Sequence, residues 1–526
     1  MSSNQFSSIK SPLLLSFVLL VGMVLGYKMS SSIKNTFQSR ENEAVLDEVV
    51  KLIELKYADT LNHDKLVESG IEGIIKNLDP HTVYIPKEEL QIENEELEGS
   101  FLGIGIEFFM LDDTVNVSYV MPDGPSAKTA LQAGDKLLTI NADTIAGKKL
   151  SEKKIIQKIR GKRKDNVKFF VKHIDNKSEI ITIERAQIPF KSLVASHLVN
   201  ADIGYIKLRL FNETTYDEFK TALSNLKEQG ATKIIIDVRD NPGGYMDAVA
   251  SIADELLTGN KILVKTKGKD ETEQYFANKD GLFENGKVVI LVNENSASAS
   301  EILAGCMQDY DRGIVVGRRT FGKGLVQEQF DLPNKAALRI TTARYYLPSG
   351  RCIQKSFASG KDEYYDDIYR RYKKGEMSGQ DSFAHKTQTK YYTTNKRIVY
   401  GDEGISPDYF IKLDTSELRD YNNLQNTFIL EQFGHQYYHQ HQGDFKKYKN
   451  INSLSTKNLV TTQVEKEMIR NLLQLLPNFK VTPQLLEKLR IDLAALFAQK
   501  LFGQDGKSKI LSTKDDFIKK AIQLLN

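Results

Sequence analysis

Apolar residues follow two different spacings in the first third of the chain. Over residues 38–97 they recur every three or four positions, as an amphipathic helix requires, for example in EAVLDEVVKLIELKYA. Between residues 98 and 187 they alternate with polar residues over short runs that end in glycine or aspartate turns, as in VNVSYV, KLLTIN and NVKFFVKHI. We therefore predict an N-terminal helical region at 38–97 and a small strand-rich domain at 98–187.

Residues 188–415 show a third pattern, in which apolar strands and amphipathic helices alternate. The predicted strands are IGYIKLRLF, KIIIDV, KVVILV and GIVVG, and the helices between them are TTYDEFKTALSNLKEQG and YMDAVASIADELL. This alternation favours βαβ units, in which helices cover a parallel sheet. The chain is thus predicted to be a multidomain α+β protein with an α/β core.

Two further stretches differ from that core. Residues 356–399 are polar, basic and rich in tyrosine, so we expect a solvated, mobile surface insertion with few apolar anchors. Residues 416–526 contain leucine-rich stretches such as LLEKLRIDLAALFAQKLFG and are predicted to form a C-terminal helical region.

The N-terminus carries one uncharged apolar run, from Pro12 to Tyr27, behind Lys10. Its length is typical of a signal segment and slightly short for a membrane span, and no A-x-A cleavage site follows it. We expect residues 1–37 to form a retained signal-anchor and leader. Basic residues on both sides of the run leave its orientation open.

Length and composition narrow the function less than the motifs do. A chain of 526 residues exceeds a single hydrophobic core, so several domains are expected. Its 72 lysines and arginines nearly balance 69 aspartates and glutamates, and the net charge of +3 gives no electrostatic argument for nucleic-acid binding. With only Cys306 and Cys352, the chain is neither a disulfide scaffold nor a CxxC metal protein.

Three junctions in the core carry residues suited to catalysis. RDNPGGY (239–245) places two glycines after a buried strand, where exposed amides can bind an anion, although glycine there often serves packing alone. NENSASASE (293–301) places three serines before a helix, where one is a candidate nucleophile and capping is the commoner role. RRTFGKGLVQ (318–327) holds a lysine between two glycines, which is a candidate base if burial keeps it neutral and is otherwise a solvated turn residue.

Histidines offer a competing base. Spacing excludes neither His81 nor His197 as the partner of a serine, although a Ser–Lys pair is an established variant of the Ser–His–Asp triad. His435, His439 and His441 include an i, i+4 pair of the kind found in zinc sites. No carboxylate accompanies them in an HExxH pattern, and their polar surroundings favour a solvated helix face.

Together these motifs resemble the carboxyl-terminal processing peptidases, or tail-specific proteases, a family of Ser–Lys endopeptidases. The resemblance spans roughly residues 40–415, and the motifs follow the order of the family: LDPHTVYI, LGIGIEF, GPSAKTALQAGDKLLTIN, RDNPGG, NENSASASE, FGKGLVQ, YLPSGRCIQ and GISPD. It implies a crotonase/Clp-like protease core, an inserted PDZ domain, and no metal or organic cofactor.

The resemblance also implies roles for individual residues. The middle serine of S-A-S-A-S, Ser298, would be the nucleophile, and the lysine of F-G-K-G, Lys323, would be the base, supported by Gln327. The oxyanion hole would use the amides of Ala299 and of Gly243 or Gly244, with Gly243 as the first choice.

The PDZ-like motif implies a peptide-binding groove. Leu102, Gly103, Ile104 and Gly105 would offer backbone amides to a C-terminal carboxylate, and the bound peptide would add to the sheet as an edge strand. The alternative, an ordinary strand entry, is disfavoured by the downstream GPSAKTALQAGDKLLTIN.

These implications combine into one functional hypothesis. We expect a serine endopeptidase of the bacterial cell envelope, anchored in the inner membrane by its N-terminal segment, with its catalytic domain in the periplasm. Its partners would be proteins or peptides with exposed C-termini, with no nucleic acid, and homo-oligomerisation stays open. A catalytically inactive PDZ scaffold at the membrane is the main alternative, and a serine esterase on a similar core is the second.

Overall fold

The computed structural model describes residues 45–161, 164–277, 280–379, 389–413 and 418–526. The signal-anchor and leader predicted at residues 1–37 lie outside these ranges. Within the described ranges, no helix has both the length and the apolar character needed to cross a membrane. The chain divides into two compact units, Met1–Asp79 and Pro80–Asn526.

The described part of the first unit contains two helices, α1 (residues 45–56) and α2 (His63–Ile75). Helix α2 begins after Asn62, whose side chain accepts a hydrogen bond from the Lys65 amide at 3.0 Å and so satisfies one of the open amides of the first turn. Helix α1 lies within EAVLDEVVKLIELKYA, where the spacing of apolar residues predicted a helix. Several of its apolar side chains are exposed: Val45, Leu46, Val49, Leu52 and Leu55.

The second unit begins with strand β1 (Val83–Ile85) and helix α3 (Lys87–Glu98), which lead into a small antiparallel domain. Its elements are β2 (Ser100–Gly103), β3 (Ile106–Leu111), β4 (Thr114–Val120), β5 (Lys136–Ile140), β6 (Asp143–Thr144), α4 (Glu152–Ile159), β7 (Asn166–Lys172), β8 (Ser178–Glu184) and β9 (Ala186–Pro189). The main sheet has the order β3-β4-β5-β7-β8. Successive side chains of β7 point to opposite faces, so Val167, Phe169 and Val171 are fully buried.

The core is built around a six-stranded sheet of order β10-β11-β12-β15-β16-β21, which is parallel except for its first pair. Its strands are β10 (Leu193–Leu198), β11 (Ile203–Leu208), β12 (Lys233–Asp237), β15 (Lys287–Val292), β16 (Gly313–Gly317) and β21 (Tyr409–Phe410). The helices between them are α5 (Thr215–Glu228), α6 (Met246–Asp254) and α7 (Ala299–Asp309). The predicted βαβ core is confirmed.

Apolar strands in a covered parallel sheet bury both faces. On one face, Ile234, Ile236 and Ile290 share a hydrophobic cluster with residues of α5, α6 and α7. On the other face, Ile235 and Val289 belong to a separate cluster. This double burial explains why KIIIDV and KVVILV are continuous apolar runs rather than alternating ones.

A second sheet lies beside the first and supports the lysine loop, residues 318–327. It has the order β1-β18-β13-β14, and β17 also pairs with β18. The bounds are β13 (Lys261–Gly268), β14 (Thr272–Ala277), β17 (Leu325–Asp331) and β18 (Ala337–Tyr346). Strand β17 begins two residues after Lys323 and contains Gln327.

The described residues of the segment 356–399, which are 356–379 and 389–399, do not form the solvated excursion that their composition predicts. They form α8 (Lys361–Tyr365), α9 (Asp367–Lys373), and strand β19 (Lys390–Tyr392), which pairs in a hairpin with β20 (Ile398–Tyr400) at the end of the segment. Tyr364 and Arg371 are only 2% and 3% exposed, and Arg371 donates hydrogen bonds to the carbonyl oxygens of Arg319 (2.6 Å) and Thr320 (3.1 Å). The composition misled because most of the described side chains of the segment are exposed or half-buried, while a few large ones are buried.

The C-terminal region is helical, as predicted. It contains α10 (Leu418–Gln425), α11 (Ile429–Gln440), α12 (Gln442–Phe445), α13 (Thr456–Leu459), α14 (Thr462–Leu475), α15 (Pro483–Ser512) and α16 (Asp516–Leu525). Leu489, Leu493 and Phe497 of α15 lie in a hydrophobic cluster formed within this region. Helix α16 instead returns to the central sheet, where Ile518 joins the cluster of Ile235 and Val289.

Candidate active site

Ser298 lies in the turn between strand β15 and helix α7. Its backbone has φ 55° and ψ −116°, a combination that residues with side chains seldom adopt. Such strained conformations are concentrated at functional sites. Ser298 is half-buried and directly precedes the first residue of α7. At this end of a helix, the aligned peptide dipoles favour a negative charge.

The two neighbouring serines have structural partners. Ser296 donates from Oγ to the carbonyl oxygen of Val238 at 2.8 Å, and Ser300 donates from Oγ to that of Asn241 at 2.9 Å. Both side chains are 0% exposed, so their hydroxyls satisfy buried carbonyl groups. Of the three serines in NENSASASE, only Ser298 is not fully buried.

The glycine turn of RDNPGGY lies directly against Ser298. A β-carbon on Gly243 would come within 2.7 Å of the Ser298 β-carbon and 3.0 Å of the Ala299 nitrogen. A β-carbon on Gly244 would come within 1.9 Å of the Phe211 carbonyl oxygen. Both glycines also have positive φ, 102° and 142°, so glycine is required at each position: Gly243 for the approach to Ser298, and Gly244 for the approach to Phe211.

The backbone amides near Ser298 differ in their partners. The Gly243 amide donates to Oδ1 of Asn241 at 2.9 Å. Among the described residues, the amides of Gly244 and Ala299 donate no hydrogen bond. Two amides without acceptors therefore lie beside the serine, one on each side of the contact between the turns.

The serine turn and the lysine loop meet at the buried carboxylate of Glu301. Its Oε2 accepts the backbone amides of Ser298 and Lys323, each at 2.9 Å. Its Oε1 accepts the Thr320 hydroxyl at 2.5 Å and the Gly322 amide at 2.7 Å. Burial raises the pKa of Glu301 to about 7, and the four donors oppose this shift because they favour the ionised form.

Tyr345 of strand β18 makes a second connection between the same two segments. Its fully buried hydroxyl lies 2.5 Å from the carbonyl oxygen of Lys323 and 3.2 Å from that of Ser298. The main chain of each residue therefore contacts both Glu301 and Tyr345.

The Lys323 side chain is held by a neighbour on strand β17. Its Nζ donates to Oε1 of Gln327 at 2.7 Å, and the lysine is half-buried. Nε2 of Gln327 donates to the carbonyl oxygen of His81. That second bond fixes which end of the amide faces the lysine, because only the carbonyl end can accept from an amine.

Sequence reasoning missed Glu301 and Tyr345 as parts of this site. Glu301 had a signal, since Ser298 and Glu301 have the S-x-x-E spacing of a helix capping box, which brings a glutamate back to the first turn. Tyr345 had none, because its contacts with Ser298 and Lys323 join residues that are far apart in the chain.

His81 and His197, the two histidines considered as bases, each have partners in other parts of the fold. The Nε2 atom of His81 is 2.8 Å from the Tyr364 hydroxyl. His197 is buried beside Tyr205, and burial lowers its pKa to about 3. In the part of the chain that the structure describes, no group of three histidine, cysteine or acidic residues is arranged to hold a metal ion, so the zinc alternative at residues 435–441 has no geometric support.

The predicted carboxylate-binding loop, Leu102–Gly105, comprises the last two residues of strand β2 and the two residues that join β2 to β3. Ile104 is buried, and its carbonyl oxygen accepts the amide and the hydroxyl of Ser126 at 3.0 and 2.6 Å. Gly105 has φ 73°, and a β-carbon there would lie 3.0 Å from the Gly124 α-carbon. The loop is followed directly by β3, which is the edge strand of its sheet. An edge strand is the place where an added peptide strand can pair.

Fold and site together are those of a serine protease with an attached PDZ domain. The family model described as "Peptidase family S41" matches residues 202–360, which contain the serine turn, the glycine turn and the lysine loop. The model described as "PDZ domain" matches residues 103–184.

Two relatives show which group of serine proteases the chain belongs to. The "Carboxy-terminal-processing protease" of Bartonella bacilliformis is 31% identical over 344 residues, covering 64% of this chain and 78% of the relative. The "Probable CtpA-like serine protease" of Staphylococcus haemolyticus is 33% identical over 315 residues, covering 58% of this chain and 62% of the relative. The chain therefore belongs to the carboxy-terminal-processing proteases of peptidase family S41, and the resemblance seen in its motifs is confirmed.

Proposed function

We propose that this chain is an endopeptidase that selects polypeptides by their C-termini and cleaves them with Ser298 as nucleophile and Lys323 as base. The observation that best supports this pairing is their common anchoring. Glu301 and Tyr345 each contact the main chain of both residues. Two segments held by the same buried groups keep a fixed relative position, which a nucleophile and its base require.

In the proposed reaction, Ser298 Oγ attacks the scissile carbonyl carbon while the neutral Lys323 amine takes the hydroxyl proton. The tetrahedral intermediate then expels the amine product as the C–N bond breaks, and the lysine ammonium protonates that leaving amine. Water attacks the resulting acyl-enzyme while Lys323 again accepts a proton, and as the ester C–O bond breaks the lysine ammonium returns that proton to Ser298 Oγ and the carboxylic acid product leaves. Gln327 orients the amine through the 2.7 Å hydrogen bond to its Oε1.

We assign the oxyanion hole to the amides of Ala299 and Gly244. The sequence favoured Gly243 over Gly244, but the Gly243 amide already donates to Asn241. The Ala299 amide is the first of helix α7, and backbone donors aimed at a developing oxyanion contribute strongly to acyl transfer. Gly243 then has a different role, which is to let the glycine turn approach Ser298.

We further propose that the PDZ domain captures the substrate by its free C-terminus. The amides of Leu102, Gly103, Ile104 and Gly105 would receive the carboxylate, and strand β3 would pair with the residues before it. Partners of this kind are proteins or peptides with accessible, unstructured ends.

The cellular setting is also a proposal. The apolar run from Pro12 to Tyr27 supports an inner-membrane anchor, and the motif resemblance supports a periplasmic catalytic domain. Membrane fractionation, followed by protease digestion of intact spheroplasts, tests both. Recovery in the soluble fraction, or protection of the catalytic domain from added protease, would contradict this placement.

One digestion experiment separates the proposed activity from its alternatives. A soluble form lacking residues 1–37 is incubated with casein, with a peptide that has a free C-terminus, and with a simple ester, and the same set is repeated with Ser298→Ala. An endopeptidase cuts casein and the peptide only when Ser298 is present. A PDZ scaffold cuts nothing, and an esterase cleaves the ester while leaving casein intact.

A further inference from the structure

The side chain that holds Lys323 is itself held by a residue distant in sequence. Gln327 accepts from Nζ of Lys323 through Oε1 and donates from Nε2 to the carbonyl oxygen of His81. A shift of the backbone at His81 would therefore move the acceptor that orients the lysine. The position of the amine thus depends on what fixes the segment around residue 81.

Helix α8, which belongs to residues 356–399, contacts the residues around His81 and holds them in place. The Tyr364 hydroxyl lies 2.8 Å from Nε2 of His81, and the two rings meet edge to face with centroids 5.2 Å apart. The next residue, Tyr365, donates from its hydroxyl to the carbonyl oxygen of Pro80 at 2.8 Å. Two consecutive tyrosines therefore contact two consecutive residues of the segment that receives Gln327.

The same tyrosine hydroxyl also connects to the lysine loop. Nε2 of Gln354 lies 3.3 Å from the Tyr364 hydroxyl oxygen, and Oε1 of Gln354 accepts the Gly324 amide at 2.8 Å. Because Gln354 acts as donor towards Tyr364, the tyrosine proton is available for Nε2 of His81. One buried hydroxyl thereby contacts the ring of His81 and, through Gln354, the amide of the residue that follows Lys323.

We propose that Tyr364 is a positioning residue for the base Lys323, acting through His81 and Gln327. This inference rests on the proposed Ser298–Lys323 function. It assigns a catalytic purpose to a segment that lies almost wholly beyond the S41 match, which ends at residue 360. Tyr364 itself contacts neither Ser298 nor the lysine amine, so its effect is on the placement of the base.

Tyr364→Phe tests this proposal because it removes only the hydroxyl and keeps the buried ring. We expect kcat for a peptide substrate to fall about threefold to tenfold, the range given by one lost hydrogen bond, with KM unchanged. The matched control is Tyr369→Phe on the neighbouring helix α9, where the side chain is 57% exposed, and it should leave kcat and KM unchanged.

A double-mutant cycle distinguishes positioning from general loosening. If Tyr364 acts through Gln327, then Tyr364→Phe should cause no further loss of kcat in a Gln327→Ala background. An equal loss in both backgrounds, a change in KM alone, or wild-type kcat in the single variant would each overturn the proposal. Wild-type protein without any peptidase activity would instead overturn the proposed function, so the two failures are distinguishable.

Discussion

The carboxylate of Glu301 accepts the backbone amide of Lys323 at 2.9 Å, and the same oxygen accepts the amide of Ser298 at the same distance. A single buried oxygen therefore sets the spacing between the segments that carry the proposed nucleophile and base. Both remaining donors, from Thr320 and Gly322, also belong to the lysine loop. The geometry of the dyad is thus expected to respond to the protonation of Glu301.

The first prediction concerns pH. Because burial raises the pKa of Glu301 to about 7 from an ordinary value of 4.5, the folded protein binds a proton there between these two values while the unfolded chain does not. This group therefore favours the folded state fully below pH 4.5, and that contribution is lost as the pH rises through 7. Activity should change in the opposite direction, since a proton on Glu301 points at one of four donors and loosens the loop.

Glu301→Gln provides the comparison, because glutamine does not titrate. Urea unfolding of both proteins between pH 4.5 and 8 should show the wild type gaining about 3 kcal/mol relative to the variant as the pH falls. The variant should also lose most of its peptidase activity at every pH, because its amide group places hydrogens against backbone amides. A stability difference that stays constant over this range would contradict the assignment.

The second prediction separates the three serines. Ser298→Ala should reduce peptide hydrolysis at least about 10⁴-fold while leaving thermal stability near that of the wild type. Ser296→Ala and Ser300→Ala should do the reverse, retaining activity at 25 °C but losing about 1–3 kcal/mol of unfolding free energy, since each removes a buried hydrogen bond from a serine hydroxyl to a backbone carbonyl oxygen. Labelling with a fluorophosphonate, which reacts with activated serines, gives an independent reading. Labelling of Ser298→Ala at the wild-type rate would reject Ser298 as nucleophile.

The parts of the fold that sequence predicts well are those set by local patterns. The run KVVILV needs only its own residues to indicate a buried strand, and helix α1 needs only its three- and four-residue spacing. The motifs containing Ser298 and Lys323 were recognisable for a related reason, because each is a compact turn with its own composition.

What the sequence did not reveal depends on contacts between distant residues. The Tyr345 hydroxyl meets two carbonyl oxygens from different segments, and no spacing rule predicts such a meeting. The failure at 356–399 has the same origin, because the composition of a segment does not show which of its side chains, such as Arg371, turns inward. The hydrogen bond from the Gly243 amide to Asn241 is different, because it is local: asparagine commonly accepts from the amide two residues on, so the motif itself carried that signal.

The third prediction tests the corrected view of segment 356–399. Arg371→Ala should lower the free energy of unfolding by about 2–4 kcal/mol, because it leaves the carbonyl oxygens of Arg319 and Thr320 without their buried donor. The neighbouring Arg370 is exposed, so Arg370→Ala should cost less than about 1 kcal/mol. Urea unfolding monitored by circular dichroism measures both. Equal stability of the two variants would return the segment to its predicted role as a surface insertion.

The fourth prediction tests capture of the substrate terminus. Amidation of a peptide's C-terminus removes the charge that the loop Leu102–Gly105 would bind, so KM should rise about tenfold to a hundredfold with little change in kcat. Gly105→Ala should have a similar effect, because its β-carbon would press on Gly124. Gly147→Ala is the matched control, since Gly147 has a similar φ of 72° but no neighbour within 4 Å. Equal KM for the free acid and the amide would remove the PDZ domain from substrate selection.

The last prediction asks whether Lys323 acts as a base or only as a positive charge. Arginine keeps the charge, but its guanidinium does not give up a proton at working pH, so it cannot accept one from Ser298. Lys323→Arg should therefore be as inactive as Lys323→Ala, with kcat reduced about 10³- to 10⁴-fold in both. The control is Lys335→Arg in the exposed turn between β17 and β18, which should keep wild-type activity. Circular dichroism and urea unfolding establish that each variant is folded before kcat is compared.

If Lys323→Arg keeps activity within tenfold of the wild type, a positive charge is sufficient at this position. The base must then be sought elsewhere, first at His81, whose carbonyl oxygen already contacts Gln327.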